Sequence, residues 1–139
     1  MNTKICTSIK QSKKLIELEV DVNTADMTYV SMKDYGENTY CLTVGKTDVD
    51  WAKDELGNLN WNDVYEKYIP TWSFSALLEL IPDKISINNE SYYLSFTKKG
   101  VEFRGPITWD GQKTKSFKMD NILDAAFEMV VWLKENKLI

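Results

Sequence analysis

Residues 85–117 constrain the fold most, because four short β-prone runs follow one another with turn chemistry between each pair. Ile85-Ser86-Ile87 leads to Asn88-Asn89, and residues 92–97 lead to Lys98-Lys99-Gly100. Residues 101–104 continue past Gly105-Pro106 into Ile107-Thr108-Trp109, and residues 114–117 return after Asp110-Gly111. Branched and aromatic side chains suit a pleated, half-buried surface. Asp-Gly is a strong hairpin signal because its tight turn needs positive φ. The stretch is therefore predicted to be an antiparallel meander. Alternation sets Tyr92, Leu94 and Phe96 on one face, with Tyr93, Ser95 and Thr97 on the other. Val101, Phe103, Ile107 and Trp109 are expected to share the buried face.

Three helices are predicted around it. Ser8 and Gln11 fit a capping box that opens a helix running to about Leu18, with Ile9, Leu15, Ile16 and Leu18 as its apolar side. Pro70-Thr71-Trp72 is read as opening a second helix that Pro82 closes. Phe74, Leu77, Leu78 and Ile81 fall on one face of it. Asp120 is the expected N-cap of the last helix, which runs to about Asn136. Its core stripe is Ile122, Ala126, Met129, Val130 and Leu133, and its charges suit the helix dipole. Residues 27–32 and 39–44 read as a hairpin across Asp34-Tyr35-Gly36-Glu37-Asn38. Between residues 45 and 68 the pattern is poor, and a long loop or short helical turns are expected.

The 139 residues suit one domain, residues 1–139, and 43% hydrophobic with 27% charged residues is the balance of a globular chain. The predicted class is α+β: a mostly antiparallel sheet of about five or six strands with the three helices packed on one face. No window approaches the roughly 18 apolar residues that cross a bilayer, and residues 1–14 lack a signal peptide's apolar run. A cytoplasmic location without membrane association is expected.

The side chains exclude several chemistries. There is no histidine, which removes Ser-His-Asp catalysis and histidine-ligated zinc. Cys6 and Cys41 are too few for a disulfide framework and lack metal-ligand spacing. Six glycines include neither a GxGxxG nor a Walker arrangement. No cofactor, metal or catalytic residue is expected. Ser-Lys and carboxylate chemistry stay open.

Charge is unevenly spread. Residues 19–66 hold eleven acids and three lysines. Residues 98–118 hold five lysines and one arginine against Glu102 and Asp110. The basic stretch carries Phe103, Trp109 and Phe117, and lysines beside rings can bind single-stranded nucleic acid. One arginine is thin for that work, and alternation turns Phe103 and Trp109 inward, so nucleic acid is not the expected partner. In the acidic stretch, Asp48-Val49-Asp50 resembles the opening of a calcium loop. Ala52, Lys53 and Leu59 then break the pattern. Asp48, Asp50 and Asp54 there accompany Trp51, Trp61 and Tyr65. Rings within an acidic surround suit a basic protein partner, the rings giving affinity and the charge giving steering. The same rings could instead pin a long loop to the core.

Three segments together resemble a group of small uncharacterised proteins of gut bacteria and of their prophages and other mobile elements. They are Thr24-Ala25-Asp26-Met27, the run from Ile69-Pro70-Thr71-Trp72 to Leu80-Ile81-Pro82, and the run from Asp124-Ala125-Ala126 to Lys134-Glu135-Asn136. The chain departs at Glu19, where the resembled proteins often carry glycine at the end of the first helix. The resemblance implies a mobile-element context and brings no catalytic residue. The expected function is a non-enzymatic accessory protein that binds another protein through the acidic aromatic loop. The alternatives are a small carboxylate-based hydrolase or ligand-binding domain, and a weak single-stranded nucleic-acid binder.

Overall fold

The computed structural model describes residues 4–45 and 67–139. Two antiparallel sheets and three helices are described, so the class is α+β. The strands divide into a three-stranded and a four-stranded sheet rather than one sheet of five or six. Two compact units follow the same division, Cys6–Ala76 and Met1–Ile5 with Leu77–Ile139.

In the first unit, α1 spans Ile9–Glu17, and its capping box is formed in full. Gln11 N donates to Ser8 Oγ at 3.1 Å, and Ser8 N donates to Gln11 Oε1 at 2.9 Å. The helix ends in a Schellman turn. Val20 N donates to the carbonyl of Leu15, and Glu19 N to that of Ile16, both at 3.0 Å. This turn holds Glu19 at φ 62°, a left-handed conformation that glycine adopts without steric cost. The departure at Glu19 therefore falls at a position where a side chain is disfavoured.

Strands β1 (Met27–Ser31) and β2 (Tyr40–Val44) form the expected antiparallel hairpin. A third strand, β3 (Tyr68–Thr71), completes the sheet in the order β2-β1-β3. This corrects the expectation that Pro70-Thr71-Trp72 opens a helix. Proline disfavours helical geometry in the residue before it, here Ile69. Its missing N–H is tolerated at a sheet edge, where β3 lies with Pro70 opposite Thr28. Helix α2 starts later and spans Phe74–Leu80.

The second unit holds the meander: β4 (Lys84–Ile87), β5 (Glu90–Phe96), β6 (Gly100–Thr108) and β7 (Gly111–Lys118), in that order. Asn88 and Asn89 have φ 52° and 65°, as a tight hairpin turn requires. Helix α3 spans Ile122–Glu135 and lies against β6 and β7. Its N-cap is Asn121, one residue beyond the expected Asp120, with Oδ1 accepting from Leu123 N at 2.8 Å. Lys4 ties the start of the chain to this helix through Asp124 at 2.7 Å. Val101 and Phe103 of β6 are fully buried, as are Leu123, Met129, Val130 and Leu133 of α3. Burying a side chain such as Phe103 is worth about 1.5–3 kcal/mol. No described helix is long and apolar enough to cross a membrane.

Candidate interaction surface

The side chains proposed for partner binding, Asp48, Asp50, Trp51, Asp54, Trp61 and Tyr65, lie outside the described residues. The described part of the first unit holds polar clusters, and each has a structural task. Thr7, Ser12 and Thr71 are all buried, and their hydroxyls meet within 2.7–2.9 Å. One proton assignment satisfies all three: Thr7 donates to Ser12, Ser12 to Thr71, and Thr71 to the Thr7 carbonyl at 2.8 Å. Thr7 Oγ1 also accepts from Trp72 N. The cluster ties the start of the unit to α1 and β3.

Asp26 accepts from Ser73 N at 2.9 Å and from Ser73 Oγ at 2.5 Å. Ser73 Oγ in turn accepts from Ala76 N, which caps α2. The indole Nε1 of fully buried Trp72 donates to Thr24 Oγ1 at 2.9 Å. Two of the three segments that carried the resemblance, 24–27 and 69–82, thus meet directly through Thr24–Trp72 and Asp26–Ser73. Packing and capping suffice to explain the residues there.

Cys6 is buried, with its sulfur 3.3 Å from the Tyr29 hydroxyl. Burial, then the contact with Cys6, pushes the Tyr29 phenol up to about 12. It stays protonated at neutral pH and serves as a hydrogen-bonding group. The Tyr29 ring also meets Tyr40 edge to face, with centroids 6.4 Å apart.

Both sheets present large side chains to solvent, Val44 of β2 at 89% among them, and the four-stranded sheet does so on a defined face. Cross-strand partners share a face, so the registers sort them. Leu94, Phe103 and Lys115 lie in one row, and Phe96, Val101 and Phe117 in the next; α3 packs on this face against β6 and β7, while Phe96 stays exposed. Lys84, Tyr93, Arg104 and Thr114 form a row on the opposite face across all four strands, and every one of them is exposed. Tyr93 is 57% exposed, with the Lys84 ammonium 5.8 Å from its ring centroid.

Phe103 is buried as expected, but Ile107 and Trp109 are not. Ile107 is 81% exposed and Trp109 98%. This corrects the expectation that they share the buried face with Val101 and Phe103. The register breaks between Arg104 and Ile107, so the alternation established by Val101 and Phe103 does not carry through. Gly105 sits in the break, under the Tyr92 ring, where a Cβ would collide with that ring. Trp109 lies beyond β6 in the turn, whose Thr108 hydroxyl sits between the Asp110 carboxylate and the Gly111 carbonyl. Pro106 beside Gly105 was the sequence signal for the break, since interior proline removes a ladder donor.

The basic residues of the stretch are partly engaged. Arg104 Nε meets Glu102 Oε1 at 2.6 Å, and Lys113 meets both oxygens of Glu90 at 3.0–3.1 Å. The Glu90 contact holds the Lys113 ammonium above its ordinary pKa. Lys115 lies 4.8 Å from the Phe117 ring centroid and 5.3 Å from that of Trp132. Lys98, Lys99 and Lys118 are exposed and have no ion-pair partner among the described residues. Among the described residues, no three of Cys, Asp and Glu gather as a metal site would require. No family model, curated protein or solved structure matches the chain.

Proposed function

We propose that this chain is a non-enzymatic accessory protein that binds another protein, with the β6–β7 turn as part of its contact surface. Trp109 carries the proposal. A tryptophan 98% exposed, with Ile107 81% exposed two residues before it, has no evident packing task among the described residues. Tryptophan is among the residues most enriched where interfaces hold their binding energy. A mobile-element context, proposed from the resemblance above, suits such an accessory role.

Capture from cells that naturally contain the chain tests this. The immobilised chain is expected to retain a protein that the Trp109→Ala variant retains at less than about a tenth of that level. The two should melt at the same temperature, because exposed substitutions typically change stability by under about 0.5 kcal/mol. Equal recovery by both would remove the turn from the contact surface. A basic partner for the 46–66 stretch stays a separate proposal, tested in the same way with Trp51→Ala and Trp61→Ala.

Single-stranded nucleic acid is the second reading, since Trp109 is free to stack on a base. The stretch has a single arginine, and its pairing with Glu102 weighs against it. A salt-sensitive gel shift with a short single strand would restore it.

A further inference from the structure

We infer that β7 is a docking edge that takes up an extended, acidic segment of a partner protein as a fifth strand. The inference rests on the protein-binding reading above and names the partner's chemistry. Among the described residues β7 ends the order β4-β5-β6-β7 and pairs with β6 along one side only. A strand in that position presents a row of backbone donors and acceptors to any further strand. At eight residues β7 offers a full-length template, whereas the other edge of this sheet, β4, has four.

Charge selects the occupant. β7 carries Lys113, Lys115 and Lys118 and no acid. Met119 N donates to the Lys99 carbonyl at 2.9 Å, and Gly100 pairs with Lys118, so Lys98 and Lys99 extend the positive run past the end of the strand. The nearby acids are Glu90, bound to Lys113, Glu102, opposite Ser116 and bound to Arg104, and Asp110 and Asp120 in the flanking turns. Lysines on an edge repel a second copy of the same edge, a known protection against self-pairing. The same charges attract a strand bearing carboxylates, which combines backbone pairing with electrostatic selection. Lys113 and Lys115 share the helix-covered face, while Thr114 and Ser116 face the other way. The matching segment alternates acids with β-branched residues. Trp109 and Ile107 stand at the start of β7, where they would cover its end.

The probe is a labelled ten-residue peptide alternating glutamate with threonine, with a lysine–threonine peptide and an oligothymidylate of similar length as controls. Fluorescence anisotropy at low salt is expected to show saturable binding of the acidic peptide and none of the basic one. Amide hydrogen exchange should slow across residues 111–118. The triple variant K113E/K115E/K118E should lose at least tenfold in affinity. Lys115 lies over Trp132 and Lys113 pairs with Glu90, so K118E, at an exposed lysine without an ion pair among the described residues, serves as the variant whose folding is not at issue, and it should lose several-fold. Several results overturn the inference: no saturable binding, equal binding by the lysine variants, protection confined to other strands, or binding of the oligothymidylate in place of the peptide. Capture dependent on Trp109 with no peptide binding sinks the docking edge and leaves the turn's role standing. Peptide binding with no capture dependent on Trp109 supports the edge and sinks the turn.

Discussion

The two sheets are held together by different means. The β2-β1-β3 sheet depends on hydrogen bonds between segments far apart in sequence: Thr7 with Thr71, Thr24 with Trp72, and Asp26 with Ser73. The four-stranded sheet is built from hairpins between sequence neighbours and is covered on one face by the apolar side of α3. Polar cross-ties fix a unique arrangement, because each buried hydroxyl needs its partner. Hairpins under a greasy helix need little such specification, and their far face is left open for other use. The first sheet thus carries buried polar cross-ties, and the second a solvent-exposed row across its four strands and an eight-residue edge strand.

Removing one large buried side chain from each unit should break them alike. Trp72→Ala and Phe103→Ala are each expected to cost about 3–5 kcal/mol in denaturant unfolding. A cost under about 1 kcal/mol for either would mean that its side chain is not part of a packed core.

The sharper contrast comes from hydroxyls. Thr71→Val keeps the shape but leaves Ser12 and Thr7 short of a buried partner, which should cost about 1–3 kcal/mol. Thr114→Val, on the exposed row of the meander, should stay within about 0.5 kcal/mol. Equal costs would erase the distinction between the two sheets.

A gain is expected at Glu19. Glu19→Gly relieves the left-handed conformation at the end of α1 and should stabilise the chain by about 1 kcal/mol. A loss of stability would show that the Glu19 side chain makes a contribution larger than the strain.

Tyr29 gives the first unit a signature in alkali. Its phenol ionises at about 12 when folded, against an ordinary value of 10.0, so the folded chain holds that proton more tightly than the unfolded one. This contribution to stability is complete below pH 10 and is lost as the pH rises toward 12. An absorbance titration should show one phenol ionising late, and Tyr29→Phe should remove that component. Cys6→Ala should bring it part of the way back, since burial remains the larger cause. A titration unchanged by Tyr29→Phe would falsify the assignment. The smallest effect is that of Trp109→Ala on stability, within about 0.5 kcal/mol, and a larger loss would place that ring in the fold rather than at its surface.

Much of the second unit was legible in the sequence because its contacts are short in range. Asn88-Asn89 and Asp110-Gly111 set hairpin turns through their own backbone preferences, and the strands on either side are then neighbours by default. Ser8 and Gln11 specified the start of α1 for the same reason, since both partners of a capping box lie within one turn. The alternation rule placed Phe103 correctly and failed at Ile107 and Trp109, because a break at Gly105-Pro106 resets which way later side chains point. The position of Trp109, on which the proposed function rests, could not be read from spacing alone. The proposed ring-and-acid site of residues 48–65 lies outside the described residues.

Local chemistry alone determined the class of the protein, its capped helices and its antiparallel meander, because backbone preferences and nearby hydrogen bonds act within a few residues. Only the tertiary structure decided that Tyr68–Thr71 is a strand beside β1, that Thr7, Ser12 and Thr71 close a buried cluster, and that the strands divide into two sheets. Those outcomes depend on bringing together segments some forty to sixty residues apart. The choice among such closures is made by packing and by the matching of buried donors to acceptors, which no stretch of sequence carries by itself.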